Sequence, residues 1–243
     1  GGEDTLKVAL ELYQLGYIKV VGVPKSIDNA LSGTDYAFGF DTAVNVATEC
    51  IDRLHTTAES HHQIMVIEVM GRYTGWIAVE AGIAGGADII LIPENPVTIE
   101  KVCDALHNRH KRGKTFSIIV VSEGVQLAGQ SYATKKTGVD QFGHPRFGGV
   151  GEYLAKTIEE STGYETRVSV LGHIQRGGTP TAFDRIIGTR FGVKAVELVK
   201  ESKFGKMVSL HHDKIRYVDI EEAVKSIKTV DMELVEIANV FSA

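Results

Sequence analysis

The sequence predicts an α/β protein built on mostly parallel sheet, and three observations lead there. Short β-branched runs alternate with stretches whose apolar residues recur every three or four positions. Runs such as Ile64-Met65-Val66-Ile67-Glu68-Val69 and Ser117-Ile118-Ile119-Val120-Val121 are nearly continuous in apolar residues, as strands covered on both faces are. Run after run also ends in a polar or charged group, and open α/β sheets bind ligands just beyond the carboxyl ends of their strands.

With 243 residues the chain can bury a large core, as one α/β domain or as two smaller lobes. Apolar residues make up 43% and charged residues 23%, and no apolar run approaches the length of a membrane span. The formal net charge of -5 argues against a nucleic-acid binder, so an anionic ligand has to be met by a local group of cations. Cys50 and Cys103 lie in apolar helical contexts without metal or CxxC spacing, which fits structural thiols in a reducing, cytoplasmic setting. The opening Gly1-Gly2-Glu3-Asp4 carries no signal peptide and reads as the middle of a protein.

From the amino end, residues 6–15 are amphipathic and predict a helix, with Gly16 just past its end. Residues 1–5 read either as a turn that lets backbone approach a ligand or as a cap closed by Asp4 or Thr5. Residues 18–23 read as a buried strand, and Pro24 takes the chain out of its sheet. Lys25, Ser26, Asp28 and Asn29 then supply a cation, a hydroxyl, a carboxylate and an amide at that strand's carboxyl end. A helix is expected from about 42 to 55, with Ala43, Val46, Ala47, Cys50, Ile51 and Leu54 on one face. The polar stretch 56–62 reads as a loop in its second half, and its paired histidines lack a third ligand at metal spacing.

Residues 64–69 form the next expected strand, which delivers Met70-Gly71-Arg72. A helix over 73–84 holds the single tryptophan, Trp76, and Gly85-Gly86 breaks it before a strand over 87–92 that Pro93 stops. Residues 97–112 are helical in pattern, and the strand over 117–121 ends in Ser122-Glu123-Gly124. The glycine-rich, polar stretch 125–149 reads as an exposed excursion. A helix over 150–162 and a strand over 165–171 lead into Gly172-His173-Ile174-Gln175-Arg176-Gly177-Gly178. There a histidine and an arginine beside paired glycines suit a phosphate. A helix over 183–199, a hairpin of 207–210 with 215–218, a helix over 220–228 and a last helix from 231 complete the pattern.

Six blocks in this order resemble the phosphofructokinase family. They are Gly1-Gly2-Glu3-Asp4-Thr5, Pro24-Lys25-Ser26-Ile27-Asp28-Asn29, Gly39-Phe40-Asp41-Thr42-Ala43, Glu68-Val69-Met70-Gly71-Arg72, Ser122-Glu123-Gly124 and Leu171-Gly172-His173-Ile174-Gln175-Arg176-Gly177-Gly178. The resemblance implies a glycolytic transferase that moves a phosphoryl group to the 1-hydroxyl of fructose 6-phosphate. It also implies two Rossmann-like lobes with mostly parallel sheets and a cleft between them, the first lobe incomplete. Residues 1–40 and 175–225 would be the remnant of the phosphoryl-donor lobe, and 41–174 with 226–243 the fructose 6-phosphate lobe.

The same resemblance implies roles. Asp28 corresponds to the base that takes the sugar hydroxyl's proton, and Arg72 to the cation that meets charge on the moving phosphoryl group. Aspartates, with pKa values of about 3.9, are feeble bases toward alcohols, so proton transfer is expected late and positioning supplies most of the catalysis. Ser26, Met70, Gly71 and Glu123 match positions that hold the sugar, and His173 and Arg176 match ligands of its 6-phosphate. Arg167 matches a ligand that arrives from a neighbouring subunit, which implies a homodimer or homotetramer with shared active sites. Glu3 matches an acidic position near the Mg2+ carried by the donor.

Donor choice follows from Asp4 and Lys25. ATP users of the family typically have glycine at the first position, and many have it at the second. A carboxylate there meets a nucleotide's α-phosphate with a repulsion of about 4 kcal/mol at about 4 Å and an effective dielectric of 20. Asp4 together with Lys25 therefore resembles the pyrophosphate-dependent branch. Three features depart from the family pattern: its amino-terminal segment for the donor is absent from this sequence, Ala30 replaces a second aspartate, and Gln63 replaces an arginine. The expected function is transfer from pyrophosphate to fructose 6-phosphate. An ATP-dependent 6-phosphofructokinase and a catalytically weak sugar-phosphate-binding or regulatory subunit are the competing readings.

Overall fold

A computed structural model of the chain describes residues 1–127 and 148–242. In chain order the elements are α1 (Glu3–Gln14), β1 (Val21–Gly22), α2 (Phe40–His61), β2 (Ile64–Val69), α3 (Trp76–Ala84), β3 (Ile89–Leu91), α4 (Ile99–Lys111) and β4 (Ser117–Ser122). They are followed by α5 (Val150–Thr162), β5 (Thr166–Val170), a 3-10 turn over Gly172–Arg176, α6 (Ala182–Lys200), β6 (Lys206–His211), β7 (Lys214–Asp219), α7 (Ile220–Lys225) and α8 (Met232–Ser242). The fold is α/β with a parallel sheet. Most of the glycine-rich stretch 125–149 lies outside the described residues.

The chain divides into two compact units, Gly1–Ala43 with Gly178–Lys228 and Val44–Gly177 with Thr229–Ala243. The second unit contains a four-stranded sheet in the order β3-β4-β2-β5, with every described pairing parallel. β2 and β4 are buried at every position because each has a strand on both sides. Side chains alternate across a strand, so Ile64, Val66, Ile119 and Val121 share one face, where they pack with Leu154 and Ile158 of α5 and with Val102 and Leu106 of α4. Each such side chain contributes about 1.5–3 kcal/mol when fully buried. β5 is an edge strand, and Val168 and Val170 are exposed on it.

The first unit contains a three-stranded sheet in the order β1-β6-β7. β6 and β7 form the expected hairpin, turned by His212 and Asp213, which both have positive φ (47° and 63°), as a two-residue type I′ turn requires. The buried strand expected over 18–23 shrinks to Val21–Gly22: Ile18 is 43% exposed, and pairing with β6 is confined to two residues. Gly22 lets α1 close on that strand, since a Cβ there would lie 3.0 Å from Leu6 Cδ2 and 3.2 Å from Met207 Cβ.

Several helix boundaries differ from the sequence reading: α7 stops at Lys225, short of the expected 228, and the larger differences are in α1 and α2. α1 starts at Glu3 with Gly2 as its N-cap and no side-chain cap, so Asp4 and Thr5 are helical residues of the first turn and not capping residues. Glu3 and Asp4 there complement the helix dipole, an effect of about 0.3–1 kcal/mol each at a surface. α2 runs on to His61 through the stretch expected to loop. Thr56 and Ser60 turn their hydroxyls back to the carbonyls of Arg53 and Thr57, and Ala58 continues the buried face of Ile51.

Candidate functional site

The predicted site residues fall into two groups, one in each unit. In the four-stranded sheet Val69 pairs with Ser122, and Glu68 pairs with both Val121 and Val170, so β2, β4 and β5 end level. The segments that leave those three ends carry Met70, Gly71 and Arg72, then Glu123, then His173 and Arg176. All six predicted residues thus gather at the carboxyl edge of one sheet, Met70 and Gly71 buried, Arg72 and Glu123 half-buried, and His173 and Arg176 exposed. Arg167 stands apart from them. It pairs in register with Met65, about 10 Å down the strand from Val170 at 3.3 Å per residue, and its guanidinium meets Glu165 at 2.7 Å.

The loop that carries Arg72 is gripped from several sides. The Met70 amide donates to Gln175 Oε1 at 3.2 Å, and the Gly71 amide donates to Glu123 Oε1 at 3.4 Å. The Gly71 carbonyl accepts from Ser122 Oγ at 2.7 Å and from the Gly124 amide at 3.0 Å. Gly71 has φ +143°, and a Cβ there would lie 2.5 Å from both Ser122 Oγ and the Thr74 carbonyl, so only glycine fits. Farther along, both carboxylate oxygens of Glu94 accept from the amide of Gly75, the N-cap of α3, which starts at Trp76 and not at 73 as the sequence predicts.

Ser122 and Gln175 are functional candidates that the sequence reading passed over. Ser122 is fully buried and Gln175 is 1% exposed, and both side chains hold backbone near the predicted sugar-binding residues. A signal was present for Gln175, a polar side chain between His173 and Arg176 in a turn otherwise rich in glycine. For Ser122 there was only a hydroxyl at the end of an apolar strand.

The first unit holds Glu3, Asp4, Lys25, Ser26 and Asp28. Gly1 N donates to the Val23 carbonyl at 2.9 Å and the Lys25 amide donates to the Gly1 carbonyl at 3.2 Å, so the start of α1 lies beside the segment that leaves β1. Glu3 and Asp4 therefore share a neighbourhood with Lys25 and Ser26. Glu3 Oε1 meets Lys7 Nζ at 2.6 Å, while Asp4 and Lys25 are exposed. Asp28 is half-buried, and its amide donates to Ser26 Oγ at 3.1 Å. Asn29, 1% exposed with φ 50°, accepts from the Ala37 amide and donates to the Asp35 carbonyl, which fixes the chain directly after Asp28.

Behind this group Asp184 of α6 accepts from the Gly39 amide at 2.7 Å, the Thr42 amide at 2.8 Å and the Thr42 hydroxyl, an anion set at the start of α2. Of the departures noted in the sequence, the Ala30 carbonyl accepts from the Lys228 amide. Gln63 is 7% exposed and precedes β2, at the amino edge of its sheet.

No group of three or more His, Cys, Asp or Glu side chains converges among the described residues. Glu3, the carboxylate that the resemblance sets near the donor's Mg2+, has its Oε1 on Lys7 Nζ at 2.6 Å, and Mg2+ usually takes only one or two protein carboxylates beside phosphate oxygens and water.

The parallel sheet of this α/β fold thus carries two arginines, a histidine and a carboxylate at its carboxyl edge, the edge at which open α/β sheets bind their ligands. The phosphofructokinase family model matches residues 1–199. The pyrophosphate–fructose 6-phosphate 1-phosphotransferase of Streptomyces coelicolor is 54% identical over 241 residues, 99% of this chain and 70% of that protein. The ATP-dependent 6-phosphofructokinase of Corynebacterium efficiens is 51% identical over 233 residues, 96% of this chain and 67% of that one. The phosphofructokinase structure from Saccharomyces cerevisiae superposes with a TM-score of 0.73 at 32% identity, covering 97% of this chain but only 30% of the yeast chain. The chain belongs to the phosphofructokinase family.

Proposed function

We propose that the protein transfers a phosphoryl group from pyrophosphate to the 1-hydroxyl of fructose 6-phosphate. The observation that bears most of the weight is the carboxyl edge of the four-stranded sheet, where His173 and Arg176 suit the 6-phosphate, and Met70, Gly71 and Glu123 suit the sugar. On this reading the second unit holds fructose 6-phosphate, with Ser26 of the first unit as a further sugar contact. The first unit also handles the donor, with Lys25 on its terminal phosphate and Glu3 beside its Mg2+. The sugar oxygen bonds to phosphorus as the bridging P–O bond of pyrophosphate breaks, and inorganic phosphate leaves. The hydroxyl's proton goes to Asp28, while Arg72 meets the charge that spreads over the transferring group. Mg2+ supplies charge neutralisation on the donor's phosphates when bound. Arg167, remote from His173 along β5, fits a role toward a second copy of the chain in a homo-oligomer.

Asp4 and Lys25 favour pyrophosphate over ATP, because the exposed carboxylate at the start of α1 repels a nucleotide's inner phosphates. Relatives of similar identity bear both donors in their names, so ATP is the second reading. Turnover of fructose 6-phosphate by the whole protein, measured with each donor in turn, tests the choice. Pyrophosphate-supported turnover without ATP-supported turnover is the expected result, and the reverse would overturn the donor assignment. In the same assay Asp4→Gly is expected to move the pyrophosphate-to-ATP ratio of kcat/KM toward ATP by about tenfold, since exposed charges are screened.

A further inference from the structure

We infer that Gln175 is a positioning residue, one that ties the phosphate-binding turn to the loop presenting Arg72 so that the two grip one substrate in register. The inference rests on the proposed fructose 6-phosphate site. Gln175 is the buried member of the 3-10 turn Gly172–Arg176, whose His173, Ile174 and Arg176 are exposed. Its amide is used at both ends: Nε2 donates to the Gly172 carbonyl at 3.0 Å, and Oε1 accepts from the Met70 amide at 3.2 Å. One bond closes the turn on itself and the other fastens it to the residue two before Arg72. At 1% exposure the Gln175 amide is shielded from bulk solvent, so its two partners rely on it in place of water.

The chemistry explains why the residue is a glutamine. The Gly172 carbonyl needs a donor and the Met70 amide needs an acceptor, and a primary amide offers both from one planar group. A glutamate offers the second at any pH but the first only when protonated. A leucine of similar volume offers neither. The spacing between 6-phosphate ligands and the transferring centre is thus set by one side chain that touches no substrate. A shift of about 1 Å at such a joint costs on the order of a hundredfold in rate.

The test uses the whole protein, with fructose 6-phosphate and both donors. Gln175→Leu is expected to lower kcat/KM about a hundredfold, with changes in both kcat and the KM for fructose 6-phosphate and none in the KM for the donor. Gln175→Glu is expected to recover activity relative to wild type as the pH falls, because the protonated acid reproduces the amide's donor and acceptor. Both variants are compared below their melting temperatures, and amide exchange at Met70 reports whether the bond is lost. Lost Met70 protection with unchanged kcat and KM in Gln175→Leu would reduce the residue to a structural strut and overturn the inference. So would a Gln175→Glu deficit that does not vary with pH. A wild-type protein that neither binds nor turns over fructose 6-phosphate would instead remove the functional reading beneath it, an outcome separate from either variant result.

Discussion

The loop after β2 and the turn that opens α1 both bring a charged residue beside a strand's carboxyl end, yet they are held in opposite ways. Side chains from three other segments, Ser122 and Glu123, Gln175 and Glu94, fasten the backbone of residues 70–75. The turn before Asp4 leans on two backbone hydrogen bonds to Val23 and Lys25, with Glu3 half-buried against Lys7 and Asp4 exposed. The difference teaches where each unit spends its stability. Holding a reacting centre in register requires a buried scaffold, because small displacements are costly there. On the proposed reading, choosing between a short and a long phosphate donor would need only the sign of an exposed charge, and such a choice could change without disturbing the core.

The largest expected effect separates activity from stability. Asp28→Asn keeps the backbone amide that donates to Ser26 Oγ, and so keeps the local turn. Turnover should fall by about 10²–10⁴-fold, the range for removing a positioned base, while stability stays within about 0.5 kcal/mol. Steady-state rates beside thermal melts would check it. Retention of activity within tenfold would end the role given to Asp28.

Next in size is a pair of glycine substitutions that sharpens the contrast between the two regions. A Cβ on Gly124 would lie 1.9 Å from the Arg72 carbonyl oxygen and 2.6 Å from its carbon, both backbone atoms that cannot swing aside. Gly124→Ala should therefore destabilise by about 1–3 kcal/mol or more, and should displace Arg72 enough to depress turnover as well. A Cβ on Gly2 would meet nothing nearer than the Lys25 carbonyl at 3.8 Å, at an ordinary negative φ of -78°. Gly2→Ala should cost about 0.5–1 kcal/mol, the N-cap preference for glycine over alanine alone. Equal melting temperatures for the two variants would dissolve the distinction between a gripped loop and a leaning turn.

How much of this was legible in the sequence depends on what each residue depends on. β2 and β4 were readable because both faces are covered, so their apolar runs have no polar interruption except Glu68 and their bounds follow the run. The α6 helix and the β6–β7 hairpin were readable from periodicity and spacing. The sequence overextends β1 because β-branched residues at 18 and 20 suit a strand locally, while pairing partners decide where a strand exists, and β6 pairs only with Val21 and Gly22. The end of α2 was misjudged because Thr, Ser and His look like loop residues until their hydroxyls are seen to satisfy helix carbonyls. In the site, charged residues announced themselves and neutral ones did not. Ser122 and Gln175 act through burial and partners far along the chain, and neither is visible in a one-dimensional pattern.

The smallest expected effect concerns Glu68, the one charged residue inside β2, which is 3% exposed and accepts from the Gly151 amide at 2.8 Å at the start of α5. Burial pushes its carboxyl above the usual 4.5, and the Gly151 and Gly149 amides offset only part of that shift. A carboxyl whose folded pKa is raised binds its proton more tightly in the folded state than in the unfolded one. Its contribution to stability is then greatest in acid and is lost as the pH rises from 4.5 through the raised folded value. Glu68→Gln removes that charge at every pH but gives the helix start a weaker acceptor. Relative to wild type the variant should therefore be least stable in acid, and should gain on it as the pH rises through this window. Thermal melts at a series of pH values would read the trend. A constant gap would mean that Glu68 is held as tightly by its amides when charged as when neutral, and that the gripped edge includes this carboxylate as a full partner.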